Sequence, residues 1–308
     1  MINKRPTFAI ILLLLSSPSW GKQSQSFLAS HLGNSAKMIG SGNIQGFSDH
    51  ASSVFGNPAT IGRIKSPSFS LFNTRILNEI QYQQFASTFP FKNIPMGIGL
   101  MKTSVSQLHH STLINDYPII HHSFHYQHLE LNHIIATRLS PHAYLGLKTS
   151  WIRTEIDQNI FNNINAGIGA YWTQSAHHYS LIINHLIKHP FHQNYQNQRI
   201  SAHYPTQIII SHQFQSRHFS IRSQTKSHPT RNAMISALGI ILHPTQVSLL
   251  SIYFGYSQHH NLDLIQASTG LSLNLNQLQL QYAFLPNSHP QVPQSHLFSL
   301  HWSLKKKT

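Results

Sequence analysis

From about residue 68 to residue 304 apolar and polar residues alternate along the chain. In the last such stretch Phe298, Leu300, Trp302 and Leu304 share one face, and Leu297, Ser299, His301 and Ser303 share the other. Before it, Leu278, Leu280, Tyr282 and Phe284 alternate with Gln279, Gln281 and Ala283. Leu250, Ile252, Phe254 and Tyr256 alternate with Ser251, Tyr253, Gly255 and Ser257. Further back, Ala143, Leu145, Leu147, Thr149 and Trp151 alternate with Tyr144, Gly146, Lys148 and Ser150. A period of two places successive side chains on opposite faces of an extended strand, so each segment predicts a strand with one apolar face.

Fourteen segments follow the rule. They centre near 68–74, 80–89, 96–106, 124–138, 142–154, 163–173, 178–187, 206–214, 217–225, 232–242, 246–257, 262–273, 277–285 and 296–304. Turn-forming clusters separate them. An even count suits a single-chain barrel of antiparallel strands, and the segments are long enough to cross a bilayer when tilted. Closure leaves no strand edge to face lipid unpaired. The fold class expected is therefore all-β: a transmembrane antiparallel barrel of about 14 strands, spanning residues 66–304. No Pro/Gly/Ser linker divides this region, as a two-domain sandwich of this length would need. No fixed repeat marks a solenoid or propeller. Trp151, Tyr171, Trp172, Tyr253, Tyr256 and Trp302 suit aromatic girdles at the membrane interfaces, with plain core packing the alternative for each of them.

The N-terminus reads differently. Lys4 and Arg5 precede the apolar run Phe8 to Leu15, and Ser19-Trp20-Gly21 offers small residues for cleavage. This is the layout of a signal peptide over residues 1–21, with a core too short for a spanning helix. Residues 30–62 do not alternate and are rich in small side chains. Within them Asn57 can cap a short helical turn whose first position is Pro58. Residues 22–65 are expected to form a hatch or plug folded inside the barrel, with Asn57, Pro58 and Ala59 as its candidate functional residues.

Composition agrees with this layout. Charged residues are 9% of the 308, against roughly 25% in ordinary soluble domains. Lipid-facing positions must be apolar and lumen-facing ones can be neutral polar, so few charges are needed. The absence of Cys removes disulfides, thiolate metal sites and Cys nucleophiles. Lys and Arg outnumber Asp and Glu by 21 to 7, but they are scattered, with no basic-aromatic module, so no nucleic-acid partner is expected. Lys305, Lys306 and Lys307 head a basic tail, residues 305–308.

Two stretches resemble a known family. Gly40-Ser41-Gly42-Asn43, followed by Asp49-His50-Ala51-Ser52-Ser53-Val54-Phe55-Gly56-Asn57-Pro58-Ala59, is similar to the N-terminal signature of PorV/PorQ-type proteins in the FadL-like outer-membrane superfamily. Gln281-Tyr282-Ala283-Phe284-Leu285-Pro286 and Ser295-His296-Leu297-Phe298-Ser299-Leu300 resemble that family's closing hairpin. Thr60 stands where the family usually has Gly, and the chain does not end on an aromatic residue. The resemblance implies a 14-stranded barrel with an N-terminal hatch, in the outer membrane of a Gram-negative-type bacterium. It further implies either transport of a hydrophobic compound or an accessory role in protein export, and it does not choose between them. A surface or secretion scaffold with no transported solute is the alternative. The partners expected are outer-membrane lipid and either a hydrophobic ligand or secretion-machinery proteins.

Histidine is the remaining oddity, with 25 residues, seven of them between 109 and 133: His109, His110, His121, His122, His125, His128 and His133. Neighbouring residues on a strand face opposite ways, so pairs such as His177-His178 and His259-His260 do not chelate a metal together. Gly97-Ile98-Gly99 and Gly167-Ile168-Gly169 lack the third glycine of a dinucleotide loop, and no G-x-S-x-G elbow occurs. Glu155 and Asp157 are the only close carboxylate pair. No enzymatic activity, metal or cofactor is expected.

Overall fold

The structure, a computed structural model, describes residues 33–304 apart from 77–78, 92–93, 115–116, 158, 188–190, 196–197, 203, 230–232, 245–248, 262–263 and 287–293. For 107, 110–122 and 191–202 it describes the backbone at most. The signal-peptide reading of 1–21, the first hatch residues 22–32, the basic tail 305–308 and the side chains of His110, His121 and His122 therefore lie outside what is described.

Sixteen strands are present among the described residues: β1 (Ser68–Ile76), β2 (Ile80–Phe91), β3 (Ile94–Ile114), β4 (Tyr117–Ser140), β5 (Ala143–Ile156), β6 (Asn159–Gln174), β7 (His177–Asn184), β8 (Phe191–Tyr195), β9 (Gln198–Ala202), β10 (Gln207–Gln215), β11 (Phe219–His228), β12 (Ala233–Leu242), β13 (Leu250–His259), β14 (Leu264–Leu275), β15 (Leu278–Leu285) and β16 (Ser295–Ser303). Fourteen of them close into one barrel of sequential antiparallel neighbours, with β16 returning to pair with β1. β8 and β9 form a separate hairpin between β7 and β10. Each of the fourteen alternating segments overlaps one barrel strand, with ends that overrun it by up to four residues, as at 246–249 before β13.

The faces divide as the alternation predicts. Leu145, Leu147 and Trp151 of β5 point outward and are exposed, while Lys148 and Ser150 between them are buried inside. On β16 Phe298, Leu300 and Trp302 are exposed, and Leu297, Ser299 and His301 face the lumen. This continuous outer band of large apolar side chains is far beyond the patch size of a soluble monomer and has the chemistry of a surface in contact with hydrocarbon. Among the described residues no helix is long and apolar enough to cross a membrane.

The aromatic girdle needs one correction. Trp151, Trp172, Tyr256 and Trp302 face outward, but Tyr171 and Tyr253 are fully buried in the lumen. Both sit one position from an outward residue, and their large rings pack against the segment that fills the barrel.

One end of the barrel carries tight connections, such as 141–142, 175–176 and 276–277, together with the start of β1 and the end of β16. The other end carries taller structure. β2 pairs with β3 as far as Val105, and β5 pairs with β4 as far as Tyr126. Beyond those rungs β3 and β4 pair only with each other, so their hairpin rises alone above the rim, with register shifts between Val105 and Leu108 and between His110 and Ser111.

Candidate functional site

Residues 33–64 lie inside the barrel. They form one short helix, α1 (Ala36–Gly40), and two 3-10 turns, Ala51–Phe55 and Pro58–Arg63. So short a helix leaves most of its terminal N–H groups without partners in the helix itself. The barrel wall supplies them. Ala36 N donates to Ser299 Oγ at 2.7 Å and Lys37 N to Gln281 Oε1 at 3.1 Å, while Ser35 Oγ caps the turn by accepting from Met38 N at 3.2 Å. Farther along, Gln45 N donates to Gln224 Oε1 at 2.7 Å. Tyr82 Oη donates to Gly33 O at 2.8 Å.

Two pairs of cross-strand glycines receive the segment. Gly239 of β12 lies opposite Gly255 of β13, and Gly146 of β5 lies opposite Gly169 of β6. The turn Gly40-Ser41-Gly42-Asn43 presses on the first pair: a Cβ at Gly239 would overlap Ser41 O, and one at Gly255 would overlap Gly42 N. Asn57-Pro58-Ala59 presses on the second pair: a Cβ at Gly146 would overlap the Pro58 carbonyl carbon, and one at Gly169 would overlap Asn57 Oδ1. Glycine in a strand interior weakens the strand, and close approach of another backbone is a reason to keep it.

The candidate residues Asn57, Pro58 and Ala59 thus meet at one point on the wall. Asn57 Oδ1 accepts from Ala59 N at 2.9 Å, and its Nδ2 donates to Ala170 O at 2.9 Å and to Ser180 Oγ at 2.8 Å. Pro58 opens the 3-10 turn. Thr60, the departure from the resembled motif, donates its hydroxyl to Asn57 O at 2.8 Å and is fully buried. The glycine pairs and the wall anchors Ser299 and Gln281 escape a sequence reading. Gly167-Ile168-Gly169 carries a trace of the signal, since inward glycines two apart mark a place where something approaches the strand.

Toward the short-turn end the segment carries charge. Asp49 pairs with His50 at 3.1 Å, His50 stacks on His301 at 4.7 Å, Arg63 lies 4.7 Å over the Tyr171 ring and Arg222 lies 5.5 Å over the Phe47 ring. The Asp49 side chain is 62% exposed, opening into the vestibule the barrel encloses. That enclosure pushes its carboxyl up, but His50, Lys37 and Arg63 outweigh it and hold the group well below the usual carboxylate range. Burial pulls the Lys37 ammonium down, and Asp49 offsets part of that.

Two small polar cavities flank the segment. One of about 30 Å³ is lined by Lys37, Asp49, Arg222, Gln281 and His301 among others. The second, of about 20 Å³, is lined by Gln84, Glu130, Lys148, Asn184 and His185 among others. A third, apolar groove of about 390 Å³ lies on the outer wall across β1, β14, β15 and β16, where Leu71, Leu300, Leu280 and Leu273 form one rung. Ser299 and Gln281, the anchors of α1, are part of its floor.

Among the described residues no three His, Asp or Glu side chains converge as metal ligands. His177 faces outward beside His212, with ring nitrogens 3.0 Å apart, while His178 turns inward to Tyr171 Oη at 2.8 Å. Adjacent histidines on this strand do face opposite ways.

No family model matches the sequence, and no curated protein matches it. Solved structures do. The chain is similar to the Pseudomonas putida toluene transporter TodX at TM-score 0.65 and 10% identity, over 88% of this chain and 98% of that one. It is similar to a deltaS2 mutant of the TodX monoaromatic hydrocarbon channel at TM-score 0.63 and 10% identity, over 88% and 99% of the two chains. A Pseudomonas aeruginosa FadL homologue is similar at TM-score 0.59 and 11% identity, over 87% and 97%. At such identities the likeness concerns architecture alone, and the architecture of this chain is the FadL-like closed β-barrel.

Proposed function

We propose that this chain is a barrel of the outer membrane of a Gram-negative-type bacterium that transports a hydrophobic compound, and that residues 33–64 are the hatch that closes it. The observation that carries this reading is the fit of hatch to wall: two motifs seated on two glycine pairs, with no room for a single added methyl. The exposed apolar band supports contact with lipid. The kinship of fold with a toluene transporter supports a hydrophobic cargo. The short-turn end, where both β1 begins and β16 ends, faces the periplasm, and the tall β3–β4 hairpin faces outward from the cell.

The cargo leaves sideways. The cavities beside the hatch are polar, whereas the groove outside β14–β16 and β1 is apolar. Ser299 and Gln281 hold α1 from within while their strands form the groove outside, so the groove and the hatch meet at the same two wall positions from opposite faces. The role is non-enzymatic. A second reading, an accessory of protein export of PorV type or a secretion scaffold, is favoured by the β3–β4 hairpin, which rises alone above the rim as a surface for a partner.

Deletion of residues 33–60 tests the hatch. The barrel is expected to reach the outer membrane, keep heat-modifiable gel mobility and admit solutes several-fold faster than the full chain. Unchanged uptake would remove the hatch. Recovery of the full chain from the soluble periplasm would remove the barrel. Co-purification of a stable protein partner, with no gain in permeability on deletion, would favour the second reading.

A further inference from the structure

The two polar cavities lie on opposite sides of the hatch and share two wall residues, Asn34 and Met38. The chain weaves between them. Gly33, Gln45 and Phe55 line the cavity nearer the tall end, and their neighbours Ser35, Gly46 and Gly56 line the one nearer the short-turn end. Consecutive residues thus line opposite cavities at Gln45-Gly46 and Phe55-Gly56, and Asn34 lines both. Cavities of about 30 and 20 Å³ exceed the ~10–15 Å³ that one water molecule needs.

Their walls ask for water. Both ring nitrogens of His301 lack a partner on one side. Gln84 Oε1, Asn184 Oδ1 and His185 Nδ1 lack one on the other. Asn34 Oδ1 lacks one in the shared wall itself. All five residues are at least nine-tenths buried. An unpaired buried polar atom costs about 1–3 kcal/mol, and a bridging water relieves that cost. Met38 closes the shared wall with an unbranched thioether, the apolar side chain best able to swing between positions.

We infer that the docked hatch carries a polar conduit for water and small anions, necked between Asn34 and Met38. The inference rests on the reading of the chain as a membrane barrel and goes beyond the passage of an apolar cargo. Charge sets the preferred ion. Lys37 and Arg222 line one cavity with Asp49, and Lys148 lines the other with Glu130, three cations against two carboxylates, while Arg63 and Lys226 stand in the lumen outside both linings. Lys226 is 3% exposed, and no described carboxylate pairs with it. An excess of fixed positive charge in a narrow polar path lowers the barrier for an anion and raises it for a cation.

The test uses the purified full-length chain in planar bilayers across a potassium chloride gradient, with sucrose-driven liposome swelling in parallel. The full chain is expected to conduct weakly and to prefer chloride. Met38→Ala should raise chloride conductance several-fold while sucrose stays excluded. Met38→Trp should abolish conductance. Lys37→Gln combined with Arg222→Gln should lower the chloride preference. Equal conductance in both Met38 variants and the full chain would overturn the conduit, as would a cation preference. Should Met38→Ala also admit sucrose, the hatch has come loose, and Met38→Trp then decides: lost conductance supports the neck and unchanged conductance overturns it. Deletion of 33–60 separates the two readings. A large pore in the deletion with flat Met38 variants defeats the conduit and leaves the hatch standing. No conductance even in the deletion defeats the barrel that both readings require.

Discussion

The hatch rests on two glycine seats of the barrel wall, built on one plan and held in two ways. Both seat a backbone on a glycine pair that lies in register on neighbouring strands. At Gly146 and Gly169 the Asn57 amide makes three hydrogen bonds, two of them to β6 and Ser180, and β1 begins at Ser68 after the turn that Pro58 opens. At Gly239 and Gly255 the turn is held by single bonds from separate strands: Gly42 N donates to Ser268 Oγ at 3.3 Å, and Gln224 Nε2 donates to Asn43 O at 3.4 Å. Gln45 N on Gln224 and α1 on Ser299 and Gln281 hold it from either side. Equal steric fit with an unequal tether, since only the Asn57 seat leads into β1 at Ser68, makes Asn57 the expected pivot and α1 the end expected to swing.

Adding one methyl to each seat tests that asymmetry most strongly. Gly255→Ala forces the Gly42 backbone away, and overpacking of this kind costs about 1–3 kcal/mol. That cost shifts the docked population by a factor of ~5 to ~150. Solute flux through Gly255→Ala barrels should rise accordingly. Gly146→Ala meets the Pro58 backbone just as closely, but the tether to β1 keeps that end in place. Its cost should appear as a lower temperature of barrel unfolding on gels, with little added flux. Equal flux from the two variants would show that the hatch leaves as one rigid piece.

Removing polar anchors gives a smaller contrast. Asn57→Ala deletes a cap and leaves Ser180 Oγ and Ala170 O without their hatch donor, a loss of about 1–3 kcal/mol. Amide hydrogens of residues 59–63 should exchange faster by a matching factor. Ser299→Ala removes one bond to the first turn of α1, about 1 kcal/mol, and should speed exchange at residues 36–40 alone. Faster exchange across both segments in either variant would deny the two ends their independence.

The wall of this molecule was far more legible in the sequence than its contents. Fourteen strands and their outward faces follow from alternation, because lipid outside and polar filling inside impose opposite demands on neighbouring residues. Alternation also marks which face of β6 and β13 is inward, yet Tyr171 and Tyr253 read as girdle residues from their type alone. Only the hatch packed beneath them explains large rings there. The β8–β9 hairpin escaped because each of its strands is only five residues long, too short for alternation to separate strand from loop. Asn57-Pro58-Ala59 was legible as a helical start, since capping is local chemistry. Its seat was not. Gly146 and Gly169 meet Pro58 and Asn57 across roughly ninety residues or more of chain, and a single inward glycine carries no record of what approaches it.

The smallest expected effect concerns pH and the swinging end. Asp49 lies beside Lys37 of α1, and with His50 and Arg63 that cation holds its carboxyl below the ordinary range. A depressed carboxyl contributes stability that is present above its unfolded value, near 3.9, and is lost as pH falls through its lower folded value. Docking of α1 should therefore be insensitive to Asp49 at neutral pH and down to about pH 4, and should weaken only in more acid solution. Asp49→Asn should remove that acid-side weakening and slightly loosen α1 above it, where the carboxylate is charged. The Asn57 anchor has no titrating partner among its hydrogen bonds, so exchange at residues 59–63 should show no such dependence. Flux and amide exchange recorded from pH 3 to pH 7 in the full chain and in Asp49→Asn would measure the difference. An acid response of equal size at both ends, or one that survives Asp49→Asn, would place the sensitivity elsewhere in the hatch and make the two seats electrostatically alike.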